Sequence, residues 1–117
     1  MESIKIVLLK NDLQVIAKVS ELQSDDNTPY CFLFEVPFVI SFDEGSTPED
    51  PKIVFTALMP FTKNFAYRMP FEQVMTMGDP TDPILQRYVE IVKPYYPIDG
   101  GAEPNEIENQ EETENDN

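Results

Sequence analysis

Leu9-Lys10-Asn11-Asp12-Leu13-Gln14-Val15-Ile16-Ala17-Lys18-Val19 carries a two-residue period on its far side and a polar step in its middle. Upstream, Ile4, Ile6 and Leu8 alternate with Lys5, Val7 and Leu9. Downstream, Leu13, Val15, Ala17 and Val19 lie opposite Gln14, Ile16 and Lys18. Alternation of this kind places successive side chains on opposite faces of a strand, and two such runs across a short Asn-Asp step make a β-hairpin. Working outward, Gln23-Ser24-Asp25-Asp26-Asn27-Thr28-Pro29 is a turn cluster whose Asx side chains can satisfy a turning backbone. A long apolar strand follows, Tyr30 to Phe42, with Pro37 inside it marking a bend, a bulge or an edge because proline cannot donate to a ladder.

Asp43 to Pro51 is an acidic loop whose carboxylates, Asp43, Glu44, Glu49 and Asp50, need water. Further strands are expected at Lys52 to Phe61 and Ala66 to Met77, joined around Thr62-Lys63-Asn64. A residue-Pro-Phe step recurs at Val36-Pro37-Phe38, Met59-Pro60-Phe61 and Met69-Pro70-Phe71, either as an internal repeat or as a shared means of bending strands. Beyond Gly78 the period changes. Ile84, Leu85, Tyr88, Ile91 and Val92 form one helical stripe while Gln86, Arg87, Glu90 and Lys93 face away. Asp79 or Asp82, each followed by proline, is the expected cap of a helix over 81–93 that stops before Pro94. Pro94-Tyr95-Tyr96-Pro97 reads as a stiff extended strap. From Asp99 onward eight acidic residues stand with no basic one, the composition of a disordered tail.

The expected organisation is one domain over 1–98 and an acidic tail over 99–117. The fold class is mainly β: five antiparallel strands in a small, strongly bent sheet or barrel with one short C-terminal helix. OB-like, SH3-like and Sm-like barrels all fit that count.

Composition removes whole classes of chemistry from these 117 residues. There is no His, so Ser-His-Asp and Cys-His machinery and His-containing zinc sites are excluded. The single Cys31, set among Phe32, Leu33 and Phe34, cannot close an intrachain disulfide and reads as a small buried hydrophobe compatible with a reducing compartment. The four glycines, at 45, 78, 100 and 101, form no phosphate-binding loop. The pairs Asp25/Asp26, Asp43/Glu44 and Glu49/Asp50 lack the ordered alternation of a calcium loop, so no metal or other cofactor is expected and the reading is non-catalytic. No signal peptide or membrane-spanning run is read in the sequence, and a soluble, cytoplasmic protein is expected. A net charge of -14 opposes general affinity for nucleic acid or anionic membranes, leaving only local patches for such contacts.

The segment Leu9 to Val19, followed by Asp25-Asp26-Asn27 and another apolar strand, resembles the first signature segment of Sm and LSm proteins. There a Leu-Lys-Asn-Gly turn leads into a strand with a bending glycine and then an Asp…Asn loop. Here Asp12 stands at the turn glycine, Ala17 at the bending glycine, and Arg68 is followed by Met69 where the second signature has a glycine. The chain also looks like small acidic proteins of marine phage and ocean-metagenome origin, which would put it in the cytoplasm of an infected host cell. The resemblance implies a bent five-stranded sheet assembled into a cyclic homo-oligomer of about five to seven subunits, often around RNA. In such rings the fourth strand of one subunit pairs with the fifth of the next, which removes exposed sheet edges. Phe55, Leu58, Phe61, Phe71, Val74, Met75 and Met77 would form that seam.

By the same resemblance, Asp25 and Asn27 correspond to the first RNA-contacting loop, and Lys63-Asn64-Phe65-Ala66-Tyr67-Arg68 to the second. The latter is the only stretch that interleaves cations with aromatics, the combination that neutralises phosphates while bases stack: Lys63, Asn64, Phe65, Tyr67 and Arg68. Its plain structural alternative is a hairpin whose aromatics are core; that of Asp25, Asp26 and Asn27 is an ordinary Asx turn. Two functions stay open: an RNA-binding ring, or an acidic phage assembly or adaptor protein that holds a protein partner and has no RNA affinity.

Overall fold

The computed structural model describes residues 3–95. The tail expected over 99–117, and Tyr96 and Pro97 of the strap, lie outside the described residues. The chain divides into two units, Met1–Pro80 and Thr81–Asn117.

The first unit is an antiparallel sheet of six strands: β1 (Ser3–Leu9), β2 (Gln14–Gln23), β3 (Pro29–Phe42), β4 (Ile53–Ala57), β5 (Ala66–Met69) and β6 (Val74–Gly78). Their order is β4-β3-β2-β1-β6, with β5 also paired to β3. A meander thus returns its last strand to its first. β4 and β6 end the path without meeting each other, so the bent sheet is not closed into a barrel.

The β1–β2 hairpin forms where the alternation places it, Val7 opposite Val15 and Lys5 opposite Ala17. Asp12 supplies the left-handed backbone that the tight connection needs, with φ at 71°. Its amide donates to the Leu9 carbonyl at 2.9 Å, and the Asn11 carboxamide oxygen accepts from the Leu13 amide at 3.1 Å. Aspartate tolerates this region because its short polar side chain can bond locally, so the hairpin closes without glycine. The core behind it is Val7, Leu9, Val15, Ala17, Val19 and Phe34. Ile16, on the opposite face of β2, is also fully buried, so the middle of the sheet is apolar on both sides.

Each Pro-Phe step marks a place where a strand bends or ends. At Val36-Pro37, two residues of β3 oppose the single Ala17 of β2, since Ile16 pairs Phe38 and Lys18 pairs Glu35. This is a β-bulge, the bend expected from Pro37, and it places Val36 at φ 50° while only 2% exposed. On one side of the bulge β3 pairs β5, from Phe32 opposite Met69 to Glu35 opposite Ala66. On the other it pairs β4, from Phe38 opposite Ala57 to Phe42 opposite Ile53. The second step cuts short the strand expected over Lys52 to Phe61: β4 ends at Ala57, and the turn through Met59-Pro60-Phe61 leaves the sheet. The third divides the strand expected over Ala66 to Met77. Pro70 has no amide hydrogen to give, and Phe71–Gln73 forms a 3-10 turn before β6 begins. Six strands therefore stand where five were expected.

The second unit contains α1 (Asp82–Val92), continued by a 3-10 turn over Lys93–Tyr95. Thr81, rather than Asp79 or Asp82, is the N-cap residue; its carbonyl accepts from the Leu85 amide at 2.9 Å. Asp82 and Pro83 occupy the first turn, where a carboxylate complements the helix dipole and proline's missing donor is harmless. Tyr88 and Val92 of the apolar stripe are buried, and Gln86, Arg87, Glu90 and Lys93 are exposed as expected. Pro94 and Tyr95 are helical rather than extended, because proline's fixed φ also suits the 3-10 conformation. No helix among the described residues is long and apolar enough to cross a membrane.

Candidate functional site

The residues expected at an assembly seam divide sharply. Leu58, Val74 and Met77 pack against the core. Phe71 meets Phe32 edge-to-face, with ring centroids 4.7 Å apart and planes at 77°, and Phe55 is half-buried. Only two of the seven are offered outward: Met75 on β6 is 59% exposed, and Phe61 in the β4–β5 connection is 100% exposed. Periodicity cannot make this distinction in a segment where nearly every second residue is apolar.

The residues expected to contact RNA are not gathered into one place. The β2–β3 turn is held by its own polar groups. The Ser24 amide donates to the Thr28 carbonyl and the Asn27 amide to the Ser24 carbonyl, both at 2.9 Å, with Asn27 at φ 68°. The Ser24 hydroxyl and the Thr28 amide both donate to Asp26 Oδ1, the latter at 3.2 Å. These bonds favour the carboxylate and hold the Asp26 pKa below its ordinary value. Asp25 and Asn27 are exposed on this Asx turn.

Arg68, opposite Leu33, lies toward the same end of β3 as this turn. It is exposed and makes no ion pair among the described residues. Lys63 and Asn64 precede the other end of β5, where Ala66 pairs Glu35. Between Pro29 and Glu35 the strand advances about 20 Å at roughly 3.3 Å per residue, so Asn27 and Lys63 mark opposite ends of this face. Phe65 and Tyr67 are half-buried, and the Tyr67 hydroxyl donates to the Asn64 carbonyl. The loop directly before β6 is Pro70–Gln73, which carries Glu72 and no cation.

A different feature escaped the sequence reading. Where β3 runs out beside the β1–β2 hairpin, a hollow of about 440 Å³ opens between Leu13, Val39, Ile40, Phe42 and Ile53, with Asp12 on its rim. Phe42, 71% exposed, also walls a second hollow of about 450 Å³ formed with Asp43, Ser46, Thr47, Pro48 and Pro51. The acidic loop keeps this end in shape. The Asp43 amide donates to the Lys52 carbonyl at 2.8 Å, the Lys52 amide to the Ser46 hydroxyl at 2.9 Å, and the Asp50 amide to the Thr47 hydroxyl at 3.0 Å. Its carboxylates stay exposed, Asp50 meeting Lys52 at 3.6 Å. The available signal was the junction itself, an aromatic at the end of an apolar strand running straight into an acidic, proline-bearing loop. No three of the described Asp, Glu and Cys side chains come together to hold a metal ion.

Residues 2–93 match the family described as a family of unknown function, DUF6561. No curated protein matches the chain.

Proposed function

The chain belongs to DUF6561, a family of unknown function, and we propose that this member is a non-catalytic assembly module that binds further copies of itself through the open β6 edge of its sheet. One observation carries the reading: β6 ends the sheet, hydrogen-bonded to β1 alone among the described residues. An unpaired edge is a row of backbone donors and acceptors that either meets water or recruits another strand. Pairing of β6 in one copy with a strand of the next would continue the sheet, and repetition of a head-to-tail contact of that kind closes into a ring of about five to seven subunits. The resemblance to Sm-like proteins supports the same assembly. The net charge of -14 favours a protein partner for the ring over a polyanion, in the manner of an acidic phage adaptor. The free, buried Cys31 fits a reducing cytoplasm, that of an infected host cell if the origin is phage.

The test is the molar mass in solution of the wild type against Met75→Lys. Met75 is exposed, so the variant should fold, and a lysine on the open edge blocks strand addition. The wild type should exceed the 13.4 kDa chain several-fold and the variant should approach it. Equal masses for the two would refute edge pairing.

A second reading, RNA binding, draws on Arg68 and Asn27 lying toward one end of the sheet and on the cation-aromatic run from Lys63 to Arg68. It requires affinity for a labelled single-stranded RNA that falls with salt and weakens in Arg68→Ala. Absence of binding at low salt leaves the protein-adaptor reading alone.

A further inference from the structure

We propose that the hollow at the end of β3 binds an extended segment of a partner protein, one that carries an apolar side chain next to a lysine or arginine. The main chain of Phe42 calls for the extended form. The Leu58 amide donates to the Pro37 carbonyl at 3.1 Å and the Asp43 amide to the Lys52 carbonyl at 2.8 Å. Pro37, Val39, Ser41 and Asp43 therefore turn their main-chain groups toward β4 and its flanks. In an antiparallel ladder the residues between them turn theirs the other way, toward β2. Ile40 meets Gln14 there. Phe42 stands two residues further on, opposite Ile53 at a pair that exchanges no hydrogen bond, and β2 has already given way to the hairpin connection. The Phe42 amide and carbonyl have no partner among the described residues.

These two groups border the hollow of about 440 Å³ lined by Leu13, Val39, Ile40, Phe42 and Ile53. Phe42, 71% exposed, also walls the hollow of about 450 Å³ formed with Pro48 and Pro51. A main-chain donor and acceptor beside an apolar recess is the arrangement that strand addition uses: the main-chain bonds hold the incoming segment extended, and the recess selects its side chain. The hairpin is what leaves these groups unmet. Asp12 turns the chain back at φ 71°, so the pairing of β2 with β3 stops at Gln14 and Ile40, two residues short of Phe42.

Charge selects the residue beside the apolar one. Asp12 is the only charged residue lining the first hollow and Asp43 the only one lining the second. Glu44, Glu49 and Asp50 stand exposed on the same loop, and Lys52 at its end is engaged with Asp50 at 3.6 Å. Asp12 and Asp43 make no ion pair among the described residues. A lysine or arginine on the partner therefore meets unneutralised carboxylates, whereas a glutamate is repelled. A contact made by one recess and one residue's main chain is far smaller than the roughly 1,200 Å² at which stable interfaces begin, so the binding is weak and reversible. The site lies on β3 and the β1–β2 connection rather than on β6, and does not depend on the self-assembly reading.

The experiment follows the fluorescence anisotropy of a labelled, end-blocked peptide of alternating leucine and lysine titrated with the full chain. Saturable binding is expected, weakened at least about tenfold in Phe42→Ser, the change that loss of one side chain's apolar contact produces. Tyr30→Ser removes an exposed aromatic from the other end of the same strand and should leave binding unchanged. Asp12→Asn keeps a residue suited to the left-handed turn while removing its charge, and should weaken binding and flatten its salt dependence. All three residues are exposed, and circular dichroism checks that each variant is folded. The peptide with glutamate in place of lysine, and the peptide with its amides N-methylated so that it cannot pair as a strand, should each bind at least about tenfold more weakly. Binding that survives Phe42→Ser, or falls equally in Tyr30→Ser, would be attraction to the overall charge of -14 and would overturn the site. Undiminished binding of the N-methylated peptide would overturn the extended mode. No binding at all would overturn the proposal, whether residues 96–117, a second copy or water then fills the hollow. None of these readings needs an oligomer, so they stand apart from the mass measurement that tests self-assembly.

Discussion

Val36 donates its amide hydrogen to the carbonyl oxygen of Phe65 at 2.6 Å from a left-handed backbone with φ 50°. The bond ties the start of β5 to the bulge at which β3 exchanges one partner strand for another, and the Leu58 amide ties the exit of β4 to the Pro37 carbonyl at 3.1 Å. A β-branched residue in that region costs about 1–3 kcal/mol, an expense the surrounding bonds and the burial of Val36 offset.

Val36→Gly should therefore be unusually mild for a buried valine. Losing the side chain costs about 1.5–3 kcal/mol, of which relief of the backbone returns roughly 1–2. Val15→Gly, at a fully buried position in the regular part of β2, recovers nothing and should cost about 2–4 kcal/mol with glycine's added chain entropy included. Urea unfolding of the two variants compares them directly; equal losses would mean that the bulge stores no strain.

Asp12→Gly should raise stability by about 0.5–1 kcal/mol, because glycine adopts φ near 71° without the penalty a Cβ incurs there. The gain should appear as a rise of a few degrees in the thermal midpoint. A fall would show that the aspartate side chain contributes more to the hairpin than its backbone strain costs.

The Asp26 carboxylate accepts from Ser24 and Thr28, and these bonds lower its pKa in the folded chain relative to the unfolded one. Its contribution to stability is thus fully present above the unfolded pKa of about 4 and is lost as pH falls through the lower folded value. Asp26→Asn should be less stable than the wild type at neutral pH, and the gap should narrow below about pH 4. A gap independent of pH would place the cause elsewhere in the turn.

Phe34→Ala, at the fully buried centre of the core, should cost about 3–5 kcal/mol, whereas Phe61→Ser should change the stability of the isolated subunit by less than about 0.5. Unfolding at high dilution separates that effect from any loss of assembly.

Residue pattern made some of this visible in advance and hid the rest for identifiable reasons. The β1–β2 hairpin, the Asx turn before β3, the bend at Pro37 and the stripe of α1 each follow from local chemistry: a two-residue or helical period, an Asx side chain, a missing amide hydrogen. Pro60 and Pro70 were visible as interruptions, but whether a proline kinks a strand or ends it depends on what the flanking backbone pairs with, and β3 supplies that partner from far along the chain. The seam residues failed to sort for a similar cause. Leu58, Val74 and Met77 have core neighbours brought by β1 and β2, while Phe61 and Met75, no less apolar, stand exposed. The hollow beside Phe42 needs the hairpin, the end of β3 and the start of β4 together, and no single segment announces it.

The proposed self-assembly runs through the open β6 edge of the sheet. Multi-angle light scattering of the wild-type protein across a dilution series tests it most directly. The expected result is a mass several times 13.4 kDa that falls toward the chain mass on dilution or in Met75→Lys. A mass of one chain at every concentration would contradict it.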